Sequence, residues 1–112
     1  MDWELEALSE MTIEVDFMKG GKKIFSATTW AGFLGILTAN RIGGYSVSVN
    51  FRSTSEGSLW KNFKRAIKNS WPVGFLVREI LETTSTYQAA VEHLAKSDLA
   101  RFFHVQIFYY IF

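Results

Sequence analysis

The sequence predicts an α+β domain, an antiparallel sheet with helices packed on it. Three observations carry that reading. Tyr45, Val47, Val49 and Phe51 alternate with Ser46, Ser48 and Asn50, the period of two of a strand with one buried and one polar face. Met11, Ile13, Val15 and Phe17 repeat the alternation against Thr12, Glu14 and Asp16. The period then changes, and Leu59, Trp60, Phe63 and Ile67 recur at helical spacing.

The elements follow in order. Residues 11–17 form a first strand, and Gly20-Gly21 reads as a hairpin turn. Residues 22–30, rich in Thr and aromatics, return as a second strand. Residues 31–37 place Gly32 and Gly35 among large apolar side chains. They read as a third strand or as a bend packed closely against neighbouring backbone. Residues 40–44 are a loop, and residues 45–52 are the strand that opened the argument.

Ser58 can cap a first helix whose outer face carries Lys61, Lys64, Arg65 and Lys68. That cluster reads as a solvated helix face, ahead of a membrane-surface contact. Residues 69–72 break the helix, and Pro72 suits the first turn of the next. Val73, Leu76, Val77, Ile80 and Leu81 give that second helix a wide apolar stripe. Ser85 and Gln88 have capping-box spacing for a third helix that buries Ala90, Val91, Leu94 and Ala95. Residues 101–112 read as a strand apolar on both faces, which suits an interior position. The chain stops within this greasy strand, so the expectation is a single partial domain over residues 1–112, part of something longer.

Composition narrows the function. At 48% hydrophobic and 16% aromatic, the chain can build a core and is not a disordered tail. A formal charge of +1 implies no strong field, so nucleic acid is not an expected partner. The absence of cysteine excludes disulfides, thiolate zinc sites and a cysteine nucleophile within these residues. Residues 1–10 are acidic and lack the apolar centre of a signal peptide, and no apolar run is long enough to span a bilayer.

Candidate chemistry is sparse. His93 and His104 lack metal-ligand spacing, and Glu79 and Glu82 read as surface charges. No G-x-S-x-G elbow and no phosphate loop occurs, and no cofactor is expected. Trp30, Phe33, Tyr45 and Phe51 fall on or beside the Gly-rich strands. They read as core packing, or alternatively as the lining of an apolar pocket for a lipid-like ligand.

The stretches TIEVDFMKGGKKIFSATTWAGFLGILTANRIGGYSVSVNFR and WPVGFLVREILETTSTYQAAVEHLAKSDLA, in that order and spacing, resemble the acid ceramidase and N-acylethanolamine-hydrolysing acid amidase family. The resemblance implies part of an αββα sandwich of the N-terminal-nucleophile hydrolase type. It implies a lysosomal enzyme that cleaves a fatty-acid amide to a free fatty acid and an amine. In that family a cysteine exposed by self-cleavage attacks the amide carbonyl, and its own α-amino group handles the proton. An aspartate closing an R-N-x-D motif holds that amino group. Asp2 matches this aspartate, while the Arg and Asn of the motif and the cysteine do not occur here. Where relatives carry a Glu at the substrate cleft, this chain has Phe51. The resemblance therefore implies a fragment or truncated paralogue, inactive alone, whose partner is a lipid amide substrate and the remainder of a chain or a missing subunit. The alternative is a non-catalytic module binding lipid or a partner.

Overall fold

The computed structural model describes residues 6–51, 72–97 and 103–109. A short helix α1 (Glu6–Ser9) leads into β1 (Thr12–Lys19), β2 (Lys22–Trp30), β3 (Thr38–Arg41) and β4 (Tyr45–Phe51). Helices α2 (Val73–Thr83) and α3 (Tyr87–Lys96) follow, and β5 (Phe103–Tyr109) closes the described chain. The five strands form one antiparallel sheet in sequence order.

The β1–β2 hairpin forms as expected. Gly20 and Gly21 take φ values of +58° and +76°, which glycine adopts without steric penalty and which a tight hairpin turn requires. A register shift between Phe17 and Met18 accompanies the turn, and the Phe17 and Phe25 rings stack at 4.2 Å.

Alternation sorts the sheet into two faces. Val15, Ala27, Ala39, Val47 and Ile107 lie side by side across all five strands. Phe25, Tyr45 and Val49 share their face, and α2 covers it with Val73, Leu76, Val77, Ile80 and Leu81. Each large apolar side chain buried there contributes roughly 1.5–3 kcal/mol. The helical stripe read from the sequence is thus the one the fold buries. In α3 only Ala90 is fully buried; Val91 and Leu94 are half-buried and Ala95 is exposed.

Several expectations are corrected. Of the two readings of residues 31–37 the structure takes the bend, but the third strand is Thr38–Arg41, half of which reads as loop in the sequence. Its four residues bury Ala39 alone, too little alternation to register as a strand. The α3 cap is Thr86, whose hydroxyl accepts from the Ala89 amide at 3.3 Å. Gln88 reaches forward to Glu92 instead of back to a cap, so Ser85 and Gln88 form no capping box. Pro72 stands one residue ahead of α2, its carbonyl accepting from Phe75 and Leu76. Among the described residues β1 and β5 are the sheet edges, and Met11, Ile13, Phe108 and Tyr109 are exposed. The interior placement expected of the last strand therefore does not hold within the described sheet. The expected helix with Leu59, Trp60, Phe63 and Ile67, and the basic cluster beside it, lie outside the described residues.

Candidate functional site

Strand register splits the aromatic group that the sequence brought forward. Trp30 ends β2, and its ring packs against Phe33 at 5.6 Å between centroids. Phe51 ends β4, three residues past the Ser48 that pairs with Thr38, and so its backbone lies at the same end of the sheet. Its side chain lies outside the described residues, as does the whole of Asp2. Tyr45 starts β4 and sits at the opposite end, fully buried. Its hydroxyl meets Thr84 rather than any cavity. Tyr45 is therefore core, and Trp30 with Phe33 is the part that remains a site.

That end of the sheet is apolar and uncovered among the described residues. Phe33, Leu34 and Phe75 are exposed by 37%, 66% and 41%, and Met11, just before β1, and Ile13, within it, are exposed as well. The bend is brought onto α2 by two glycines. A Cβ on Gly35 would lie 2.7 Å from the Phe33 ring, which would have to shift, and 3.1 Å from the Gly74 carbonyl carbon, a tight contact with backbone. The Ile36 amide donates to the Gly74 carbonyl at 2.9 Å, and Thr29 Oγ1 donates to the Gly35 carbonyl at 3.4 Å. Arg78 of α2 donates from Nη1 to the Leu34 carbonyl at 2.9 Å. Sequence reasoning missed Leu34, Phe75 and Arg78. The available signal was Phe33-Leu34 flanked by Gly32 and Gly35, a greasy pair on a bend that alternation cannot bury.

The sheet face away from α2 and α3 is polar. Asp16, Ser26, Asn40, Ser46 and Phe108 form one row across the strands. Glu14, Thr28, Thr38, Ser48 and Gln106 form the next. The sheet's twist makes this face a groove of about 590 Å³. Ser26 Oγ donates to Asp16 Oδ1 at 2.7 Å and Lys23 Nζ lies 3.4 Å from Oδ2. These contacts, the serine hydrogen bond foremost, hold the Asp16 carboxyl below its ordinary range. A carboxylate held low is a poor base for Ser26, and among the described residues no histidine joins the pair, so this is a cross-strand contact rather than a nucleophile with its base.

Among the described residues no group of three His, Cys, Asp or Glu side chains could hold a metal ion. No described helix is long and apolar enough to cross a membrane. The sequence supplies no cysteine. The arrangement offers an apolar surface and a rigid scaffold, without a reactive centre among the described residues.

No family model matches the sequence. Individual proteins do. An uncharacterised protein of Acanthamoeba polyphaga mimivirus is 34% identical over 98 residues, 81% of this chain and 30% of that protein. Acid ceramidase of Bos taurus is 32% identical over 96 residues, 84% of this chain and 24% of its own length. N-acylethanolamine-hydrolysing acid amidase of Caenorhabditis elegans is 35% identical over 102 residues, 88% and 28% of the two chains. The solved structure of a Caenorhabditis elegans N-acylethanolamine-hydrolysing acid amidase orthologue superposes with a TM-score of 0.81 at 34% identity, covering 96% of this chain and 46% of that one. The chain spans about a quarter to a third of the length of these curated relatives. With sequence and backbone agreeing over nearly its whole length, the chain belongs to the acid ceramidase and N-acylethanolamine-hydrolysing acid amidase family and corresponds to one segment of those proteins.

Proposed function

We propose that this chain is the acyl-facing scaffold of a lysosomal fatty-acid amide hydrolase, which converts a ceramide or an N-acylethanolamine to free fatty acid and amine. The observation that carries the reading is the apolar end formed by Trp30, Phe33, Leu34 and Phe75, on a backbone that follows an amidase at a TM-score of 0.81. An exposed apolar surface of this kind suits an acyl chain, which recognises area and shape rather than hydrogen bonds.

The nucleophile of this reading comes from outside the 112 residues, since the chain holds no cysteine. Asp2 would hold the α-amino group of that nucleophile, keeping it oriented to take the thiol proton. Phe51, where relatives carry a Glu, would replace a polar contact to the head group by an apolar one. The polar groove side of the sheet would stack on a second sheet in the αββα sandwich. Its short Ser, Thr and Asn side chains permit the close approach that sheet stacking needs. By this account the 112-residue chain holds acyl chains and does not hydrolyse their amides.

A second reading, a non-catalytic lipid-binding module, is favoured by the exposure of Phe33, Leu34 and Phe75. The test is hydrolysis of N-palmitoylethanolamine and of a ceramide by the purified chain, before and after co-expression with a family segment carrying the cysteine and R-N-x-D. Turnover only after co-expression supports the scaffold reading. Fatty-acid binding with no turnover in either case supports the module.

A further inference from the structure

The guanidinium of Arg78 is held by three elements at once. Nε donates to Glu82 Oε1 at 2.8 Å within α2, and Nη1 donates to the Leu34 carbonyl at 2.9 Å. Its Cζ lies 5.1 Å from the centre of the Phe17 ring on β1, within cation–π range. The ends of the bend at residues 31–37 are tied by backbone hydrogen bonds from Ala31 to Met11 and from Val49 to Leu37, and its interior by contacts with Trp30, Gly74 and Thr29, which leave the Leu34 carbonyl to Arg78. Arg78 supplies a charged donor to the bend at the Leu34 carbonyl, and charge-assisted hydrogen bonds are the stronger ones. The Leu34 carbonyl is held while the residue is 66% exposed, next in sequence to the exposed Phe33.

We infer that Arg78 is a positioning residue that fixes the Phe33-Leu34 bend so that its apolar side chains meet an acyl chain already in place. The inference rests on the acyl-facing reading above. A pinned bend loses less conformational freedom on binding than a mobile one, and affinity rises accordingly. Arginine suits the role where lysine does not. Its planar fork serves Glu82 and the Leu34 carbonyl in two directions while its Cζ lies over the Phe17 ring, whereas an ammonium is a single point of charge.

The experiment measures binding of cis-parinaric acid, a fluorescent long-chain fatty acid, to the full chain and to its Arg78→Lys and Arg78→Gln variants. Amide hydrogen exchange over residues 33–36 is followed in the same samples. Both variants are expected to bind about tenfold more weakly, roughly 1.4 kcal/mol, with faster exchange in the bend and little change elsewhere. Unchanged affinity in folded variants whose parent binds the probe overturns the role of Arg78 and leaves the acyl-facing reading standing. Failure of the parent chain to bind overturns both. If the variants do not fold, the parent and Leu34→Ser decide the matter, since that change removes the exposed side chain and keeps the carbonyl on Arg78. The probe must then slow exchange over residues 33–36 in the parent, and Leu34→Ser must weaken binding; failure of either overturns the inference.

Discussion

The Tyr45 hydroxyl lies 2.8 Å from Thr84 Oγ1 and so joins β4 to the junction between α2 and α3. Thr84 Oγ1 also donates to the Ile80 carbonyl at 2.7 Å. The Tyr45 hydroxyl also reaches the Ile80 carbonyl at 3.2 Å, and either hydroxyl can be the donor in the bond the two share. Arg41 completes the junction by donating from Nε to the Thr84 carbonyl at 3.0 Å. The α2–α3 junction is thereby fixed to the start of β4.

Tyr45→Phe removes one donor and leaves the Ile80 carbonyl bonded to Thr84. No buried acceptor is orphaned, so the loss is about 1 kcal/mol. Thermal unfolding is expected to shift down by a few degrees, and no shift would show the hydroxyl to be idle.

The same residue gives the fold an alkaline limit. Burial raises the Tyr45 pKa above its ordinary value of 10.0, with Thr84 and Arg41 opposing the shift. In the unfolded chain Tyr45 ionises first. Its contribution is complete below the unfolded value and is lost as pH rises from there through the folded pKa. Denaturant titrations of the parent and of Tyr45→Phe should diverge in slope above about pH 10, the variant losing less stability. Parallel curves would contradict the burial of the hydroxyl.

Gly44 tests how tightly the β3–β4 turn meets the α2–α3 junction. A Cβ there would lie 2.6 Å from the Ser85 carbonyl oxygen, which is backbone and cannot swing aside. Gly44→Ala is expected to destabilise by about 1–3 kcal/mol, measured by urea unfolding. A neutral or stabilising result would mean that the turn and junction stand further apart.

Much of this fold was legible because alternation and burial agree. Tyr45, Val47 and Val49 face the core as the period of two requires, and the apolar stripe of α2 is the buried one. β3 was not legible because its four residues bury a single alanine. Thr86 displaced Ser85 as the cap because both residues can supply the hydroxyl, and only backbone geometry chooses between them. The site was half legible. Trp30 and Phe33 are near in sequence and near in space, whereas Tyr45 shares their chemistry and stands at the other end of the sheet through register alone. Arg78 gave no signal, since its carbonyl partner lies 44 residues upstream.

The apolar end makes an optical prediction. cis-Parinaric acid seated beside Trp30 should quench tryptophan emission, and Phe33→Ser should weaken the effect severalfold by removing the ring that packs on Trp30. Equal quenching in both chains would place the acyl chain elsewhere.

The most direct test of the account is a single assay in which the purified chain meets N-palmitoylethanolamine together with the fluorescent fatty acid. Saturable probe binding with no palmitate released above the blank is the predicted result. Release of palmitate by this cysteine-free chain, or the absence of any probe binding, would contradict it.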